Sequence, residues 1–234
     1  PISLVRELVR EQEEKTDEPQ EKNKTADFTP VWEQTPQKKS QSNFLLHPEI
    51  PQEKRNQYHI GNDELGQGTP KEKFRANIAA IQMLRKCEDE GRLATPEEQE
   101  WLSGYVGWGG LSDAFDETKT AWSTEYLELK TVLTPEEYAA ARESTLTAFY
   151  TPPVVIRAMY QVLENMGLKS GNILEPSCGI GNFIGMKPES LSDCRIYGVE
   201  LDSISGRIAR QLYQKSTVAI QGYEEANLPD SFFD

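Results

Sequence analysis

Residues 172–183 read Asn-Ile-Leu-Glu-Pro-Ser-Cys-Gly-Ile-Gly-Asn-Phe, a short apolar run followed by a glycine-rich turn. The run from Asn172 to Glu175 predicts a buried strand, and the residues after the turn predict a short helix. Glycine lacks a Cβ atom, so a ligand can approach the backbone at Gly179 and Gly181, and the helix start offers unpaired N–H groups. The stretch therefore predicts a small-molecule site at the carboxyl end of the first strand of a sheet.

A helix is predicted upstream of this strand. Thr151 is predicted to cap it, with Pro152 and Pro153 in its first turn and Gly167 after its last. The apolar face of this helix is predicted to comprise Val155, Met159, Val162, Leu163 and Met166.

Helices and strands also alternate downstream. Strands are predicted at 195–200 and 217–221, with a helix at 204–212 between them, and residues 232–234 predict the start of a fourth strand. This alternation is typical of an α/β fold with a parallel sheet. The predicted architecture is a truncated Rossmann-like sheet over 147–234, preceded by a helical region.

The helical region is predicted at 61–146. Apolar residues at three- and four-residue spacing from Phe74 onward predict an amphipathic helix that ends near Gly91. The sequence Thr-Pro-Glu-Glu occurs at 95–98 and again at 134–137, and each copy gives a capping hydroxyl, a first-turn proline and a Glu three residues past the cap. Two further helices are predicted to begin there.

Residues 105–111 read Tyr-Val-Gly-Trp-Gly-Gly-Leu. The three glycines leave the backbone free to turn tightly. Trp108 has two interpretations: a platform on which a nucleic-acid base stacks, or an indole packed beneath a tight turn. We expect the packed indole.

Residues 1–60 are rich in Glu, Gln, Lys, Asn and Pro, and predict a disordered polar linker with a short helix at Ile2 to Glu14. The whole chain has 234 residues and a formal charge of −13. Duplex DNA repels an acidic surface, because DNA affinity depends largely on Lys and Arg neutralising phosphates. If DNA is a partner, we expect regions outside this segment to supply the basic surface.

No apolar run approaches the length of a membrane span, and no secretory signal is recognisable, so a cytoplasmic location is predicted. The three cysteines lie far apart without a C-x-x-C pair, and there are two histidines. We predict free thiols and no metal site.

Glu200 ends the second predicted strand, about nineteen residues past Gly181. A carboxylate at this distance can accept both hydroxyls of a ribose, so a nucleoside is the predicted ligand. A nicotinamide dinucleotide is disfavoured because Ile184 stands where its fingerprint requires Gly or Ala. Glu175 would also repel a pyrophosphate, whereas it could attract a sulfonium or an ammonium group. A glycine turn without any ligand is the remaining alternative.

Residues 175–183 resemble the first motif of gamma-type N6-adenine DNA methyltransferases, D/E-P-x-x-G-x-G-x-F, which surrounds the methionine part of S-adenosylmethionine. Residues 149–153, Phe-Tyr-Thr-Pro-Pro, resemble the upstream motif of that family, and the two occur in family order. The resemblance implies a Rossmann-like S-adenosylmethionine-dependent methyltransferase fold. By position, it implies these cofactor-binding residues: Tyr150, Thr151, Pro152, Glu175, Pro176, Gly179, Gly181, Phe183, Glu200, Leu201 and Glu224.

Two departures from the family pattern concern the third motif and the catalytic one. Many relatives place an Asp after Gly222, where this chain has Tyr223, so the adenine-binding role passes to Glu224. The catalytic tetrad, N/D-P-P-Y/F, is expected beyond Asp234, so no catalytic residue is assigned and this fragment alone is expected to be inactive.

The helical block also resembles the region that precedes such methylase domains in large proteins of phages, plasmids and conjugative elements, which are often joined to a helicase. The resemblance thus implies a DNA adenine methyltransferase in a longer parent, with a helicase domain in the same chain as one option. A noncatalytic methyltransferase-like scaffold is the main alternative, and a nucleotide-dependent oxidoreductase is a third. Helicase loops of the G-x-x-x-x-G-K-S/T type are absent from this sequence.

Overall fold

A computed structural model describes residues 45–61, 63 and 65–234 of the chain. The short helix predicted at Ile2 to Glu14 lies outside these residues. Within the described part, a group of helices packs against the helix that covers a small parallel sheet.

Residues 45–60 pack onto this fold, which corrects the prediction of a linker that extends to residue 60. The Arg55 side chain is 2% exposed. Its guanidinium donates to the carbonyl oxygens of Leu46 (2.9 Å), Ile50 (3.0 Å) and Gln214 (3.0 Å). A buried charge that satisfies backbone carbonyls orders this segment, and apolar content alone does not reveal such an anchor.

Four helices form the region upstream of the sheet: α1 (Pro70–Asp89), α2 (Pro96–Ser103), α3 (Ser123–Val132) and α4 (Pro135–Ser144). The capping boxes predicted at Thr95 and Thr134 are confirmed, each with a proline in the first turn. A third box, at Thr69, begins α1 and accepts the N–H of Glu72. The apolar spacing predicts this helix only from Phe74 onward, because residues 71–73 of its first turn are polar.

An aromatic cluster fills the core of the helical region. Phe74 of α1 lies edge-on to Trp108 and to Trp122, with ring centroids 6.1 Å apart in both pairs. Phe115 meets Trp108 at 5.4 Å and 90°. These geometries favour aromatic pairs beyond their buried area, and they fix the turn at 105–111 against α1.

The remaining elements form the α/β part: α5 (Pro153–Asn165), β1 (Gly171–Glu175), α6 (Asn182–Gly185), β2 (Cys194–Glu200), α7 (Ser203–Leu212) and β3 (Thr217–Ile220). The strands are parallel, in the order β1-β2-β3, with Glu175 opposite Gly198 and Glu200 opposite Ile220. The predicted fold class, a Rossmann-like α/β sheet preceded by a helical region, is confirmed. Glu175 and Glu200 consequently end their strands at the same edge of the sheet.

The stretch predicted as a fourth strand lies against the free side of β1. The Asp234 N–H donates to the Asn172 carbonyl at 3.0 Å, and the Asn172 N–H donates to Asp234 Oδ2 at 2.9 Å. The Asn172 side chain also donates to the Phe232 carbonyl at 3.1 Å. These residues do not form a strand, but their hydrogen bonds occupy the edge where the sequence places one.

Helix α5 differs from its prediction in cap and in orientation. Pro152 occupies the cap position, and no side chain caps the helix, so Thr151 does not have the predicted role. The buried residues are Pro153, Ile156 and Tyr160. Most of the predicted apolar face is exposed instead, namely Val155, Met159, Val162 and Met166, whereas Leu163 packs against the core. Helical spacing identified an apolar stripe on α5, but the buried face of the helix is the neighbouring one, which carries Ile156 and Tyr160.

Polar side chains join the helical region to α7. Gln99 of α2 donates to the Gln211 and Leu212 carbonyls at 2.8 and 2.9 Å, at the end of α7. Arg207 of α7 bridges Glu88 of α1 and Glu137 of α4 at 3.0 and 3.1 Å. The two regions also share one hydrophobic cluster of buried residues. The upstream helices are therefore packed on the sheet domain and not merely tethered to it.

Replacing Arg55 by Met tests whether residues 45–60 belong to the fold. We expect Arg55→Met to lower the free energy of unfolding by about 2–4 kcal/mol, because the backbone carbonyls of Leu46, His47, Ile50 and Gln214 would lose a charged donor. Urea unfolding of the full chain measures this, with the exposed Lys54→Met as the control. Equal stability of the two variants would contradict the packing described for this segment.

Candidate functional site

The glycine turn connects β1 to α6 at the edge of the sheet, and both of its glycines are buried. Gly179 and Gly181 both have positive φ, at 55° and 88°. A Cβ atom on Gly179 would lie 2.7 Å from the ring of Tyr150, and one on Gly181 would lie 2.5 Å from the ring of Tyr213. Conformation and close packing therefore both require glycine here.

Glu200, at the end of β2, faces this turn. The Gly179 N–H donates to Glu200 Oε2, and the Asp202 N–H donates to Glu200 Oε1, both at 2.7 Å. Burial raises the pKa of Glu200, while these N–H groups act in the opposite direction by favouring the carboxylate. Each carboxylate oxygen keeps a further lone pair, so the group can still accept hydroxyls from a ligand.

Glu200 lines a cavity of about 200 Å³ whose other walls come from both regions of the chain. Tyr150 lies in this wall, with its hydroxyl 3.1 Å from Ser205 Oγ. Burial raises the pKa of Tyr150, so its hydroxyl is neutral and can both donate and accept a hydrogen bond. The remaining polar lining includes Ser177 and Asp202. Oxygen-rich walls of this kind suit a sugar.

Tyr150 also separates this cavity from a larger one of about 410 Å³. Thr151, Ile180 and Asn182 form the wall that belongs to the sheet domain. The helical region and the loop before α1 provide the opposite wall. An extended ligand with its sugar at Glu200 would have two neighbouring spaces available, one on each side of Tyr150.

The turn at 105–111 holds the segment that carries Tyr150 and Thr151. Asn77 of α1 is fully buried and fixes the turn, since it accepts the Val106 N–H at 2.8 Å and donates to the Gly107 carbonyl at 2.7 Å. A Cβ atom on Gly109 would lie 2.2 Å from the carbonyl oxygen of Ala148. The turn is thus a close-fitting support for the backbone just before Tyr150.

Trp108 is 1% exposed, which confirms the packed indole and excludes the stacking platform in this conformation. Its Nε1 is buried and has no hydrogen-bond partner in the described part of the chain. The neighbouring Tyr105 is equally buried. Both side chains line the cavity at Glu200. They are therefore supporting walls of the site.

Glu175 and Phe183 face a different space, although they belong to the same motif as the glycines. They line an almost wholly apolar cavity of about 300 Å³ beside α5 and β1. Burial raises the pKa of Glu175 to about 7, and its carboxylate forms no hydrogen bond to any residue that the structure describes. Phe183 contacts Tyr160, whose hydroxyl donates to the Phe183 carbonyl at 2.6 Å. Phe183 thus anchors α6 to α5.

The other predicted site residues lie at the rim. Leu201 is 75% exposed at the end of β2. Glu224 follows β3, and its carboxylate folds back toward Gly222. Pro152 and Pro176 are exposed at the two ends of the site. The structure thus groups Tyr150, Gly179 and Glu200 closely, with Thr151 beside them.

Two polar residues around Glu200, Asp202 and Ser205, were not predicted as part of the site. Asp202 caps α7 by accepting the Ser205 N–H at 2.7 Å, and both residues line the cavity at Glu200. The signal for Asp202 was present, because an Asp at the start of a predicted helix is a capping residue. Nothing local indicated Asn77, whose partners lie about 30 residues away.

The described residues contain no group of three or more His, Cys, Asp and Glu side chains able to hold a metal ion. Cys87, Cys178 and Cys194 are free, and all three are buried. Among the helices of the described part, none combines the length and apolar character needed to cross a membrane.

Comparison with known proteins relates this chain to methyltransferases. No protein-family model matches it. It is 27% identical over 161 residues to Defense against restriction protein B of Escherichia phage P1, in a match covering 68% of this chain and 6% of that protein. It is 31% identical over 88 residues to the Type II methyltransferase M.XamI of Xanthomonas campestris pv. amaranthicola, covering 35% of this chain and 16% of that protein.

Among solved structures, a class I S-adenosylmethionine-dependent methyltransferase from Listeria monocytogenes is similar with a TM-score of 0.30 and 16% identity, covering 70% of this chain and 55% of that one. The chain spans only a small share of the length of the two curated relatives. The similarity to the Type II methyltransferase M.XamI confirms the resemblance to methyltransferases.

Substituting Gly109 tests the support beneath Tyr150. We expect Gly109→Ala to lower the free energy of unfolding by about 1–3 kcal/mol, because the added methyl group overlaps the Ala148 carbonyl. Gly61→Ala is the matched control, since a Cβ atom there meets nothing within 4 Å. Thermal unfolding of both variants decides the point, and a Gly109→Ala protein as stable as the control would refute the close fit.

Glu175 is expected to make stability depend on pH. Its folded pKa of about 7 lies above the ordinary value of 4.5, so the unfolded chain ionises first as the pH rises. Stability is therefore lost between about pH 4.5 and pH 7 and is level above that range. Glu175→Gln should melt at nearly the same temperature as the parent at pH 4.5 and a few degrees higher at pH 8.

The exposed Glu143→Gln on α4 is the control for this comparison, and it should show no such difference between the two pH values. If the Glu175→Gln and parent melting temperatures stay parallel from pH 4.5 to pH 8, the carboxyl group is not buried as described.

Proposed function

We propose that this chain is the cofactor-binding part of a methyltransferase that uses S-adenosylmethionine and methylates N6 of adenine in DNA. The observation that carries the proposal is the Glu200 carboxylate, held by the Gly179 N–H beside a cavity with hydroxyl-bearing walls. The family order of the two motifs and the methyltransferase relative support the cofactor. The similarity to a phage protein of defence against restriction and to a Type II methyltransferase supports a role in DNA modification less directly.

The residues present fit this cofactor. Gly179 lacks a Cβ atom, which allows the Tyr150 ring to pack against it and its N–H to hold Glu200. Glu200 would accept the ribose hydroxyls, and Tyr150 and Thr151 would line the passage toward the amino-acid end. Leu201 and Glu224 would border the adenine, at the ends of β2 and β3. Pro152, Pro176 and Gly181 would keep the backbone of the two motifs in place.

Glu175 and Phe183 would act from the neighbouring cavity. Glu175 can supply a negative charge to a cationic ligand, and such a ligand would favour its ionised form. Phe183 would act indirectly, because its contacts hold α6 and hence the glycine turn. The carboxyl groups of Glu175, Glu200 and Asp202 together make the site acidic, which suits a sulfonium and disfavours a pyrophosphate.

When bound, the cofactor supplies an activated methyl group. The residues of this chain would bind and orient it, and orientation alone can account for a large part of a rate enhancement. No residue of the chain is assigned to the acceptor base. Selection of DNA, the catalytic tetrad and any helicase activity are proposed to reside in other regions of a longer parent protein from a mobile element.

Titration calorimetry of the full chain with S-adenosylhomocysteine tests the proposal. We expect binding by the unaltered protein and roughly 10- to 100-fold weaker binding by Glu200→Gln, because a charged acceptor of hydroxyls is lost. Glu225→Gln, at an exposed carboxylate after β3, should bind as the parent does. NAD should not compete.

A folded protein that binds no S-adenosylhomocysteine would refute the cofactor-binding role and favour the noncatalytic scaffold. One observation favours that alternative: the Tyr150 ring covers Gly179 in this conformation. Binding of NAD in place of S-adenosylhomocysteine would instead identify an oxidoreductase.

A further inference from the structure

The cavity of about 410 Å³ beside Thr151 is built jointly by the sheet domain and the helical region. Thr151 and Asn182 come from the sheet domain, whereas Lys73 comes from α1 and Ser103 from α2. The resemblance to methyltransferases assigns no ligand contact to the helical region. Residues of the helical region nevertheless line this cavity.

The described lining residues include two charged side chains, Asp63 and Lys73, and of these only Asp63 has a polar partner in the described part of the chain. Asp63 accepts a hydrogen bond from Arg157 Nε at 3.0 Å. Lys73 is half-buried, and within the described residues its ammonium makes no ion pair or hydrogen bond. Its neighbour Lys71, by contrast, pairs with Glu125 at 2.6 Å.

Acidic residues outnumber basic ones in this chain, 38 to 25, yet Lys73 has no acidic partner among the described residues. An anion in the adjoining cavity would give its ammonium a favourable partner. As far as the described residues show, the cavity is otherwise lined by apolar groups and by neutral polar groups, apart from the paired Asp63. Its electrostatics thus suit a ligand that brings one negative charge.

The proposed cofactor brings such a charge at its amino-acid end, as a carboxylate. With the ribose at Glu200, that end would lie on the far side of Tyr150, beside Thr151, which lines the cavity of Lys73. We propose that Lys73 binds the carboxylate of the amino-acid end of the cofactor, so that the helical region completes the cofactor site and sets its specificity. This inference rests on the proposed function.

The consequence is a preference for ligands that possess the amino-acid group. 5′-Methylthioadenosine has the same nucleoside and a thioether but no carboxylate, so its binding would depend on Glu200 and not on Lys73. S-adenosylhomocysteine would depend on both. The pair of ligands separates the contribution of Lys73 from that of the nucleoside pocket.

The experiment titrates the full chain and its Lys73→Met variant with each of the two ligands. We expect Lys73→Met to weaken S-adenosylhomocysteine roughly 10- to 100-fold and to leave 5′-methylthioadenosine unchanged, because only the former loses a charge-assisted hydrogen bond. Lys73→Arg should retain most of the affinity. Lys169→Met, at an exposed lysine between α5 and β1, should change neither ligand.

Because Lys73 has no side-chain partner among the residues that the structure describes, Lys73→Met should melt at the parent temperature, and a melt measured on the same sample verifies this. Equal affinity of the parent and Lys73→Met for S-adenosylhomocysteine would overturn this inference and leave the proposed function intact. Equal weakening of both ligands would overturn it as well. Failure of the folded parent to bind either ligand would overturn both proposals.

Discussion

The close approach of the turn at 105–111 to the backbone before Tyr150 is the constraint on which the site depends. Gly109 leaves no space for a side chain against the Ala148 carbonyl, and Asn77 fixes the turn from α1. A segment of extended chain cannot hold a ligand-binding geometry unaided, because its backbone groups have no partners within a regular element. Here the support is a packed turn from another region.

The hydrogen bonds of Glu200 give the second fixed point. They join the end of β2 to the turn after β1 and to the start of α7, so three elements converge on one carboxylate. The sheet supplies the spacing, since neighbouring parallel strands end at the same edge. The carboxylate is therefore preorganised before any ligand arrives, and a preorganised group needs less ordering on binding.

Much of this arrangement could be predicted from sequence, where the determining interactions are local. The capping boxes at Thr95 and Thr134 depend on residues three positions apart, and the glycine turn depends on its own backbone. What could not be predicted depends on distant partners. Arg55 anchors its segment through Gln214, and the orientation of α5 is decided by the sheet beneath it. The separate surroundings of Glu175 and Glu200, two similar strand ends, likewise arise from packing.

The polar contacts that bind the helical region to α7 have a consequence for the order of folding. Gln99 reaches α7 across more than 110 residues of chain, and Asn77 reaches its turn across about 30. Contacts of such long separation form late, because the entropy of closing the intervening loop must be met before they stabilise anything. We expect the helices and their caps to form early and the ligand-binding surface to form late. A ligand that binds this surface would therefore stabilise the complete fold and not its early parts.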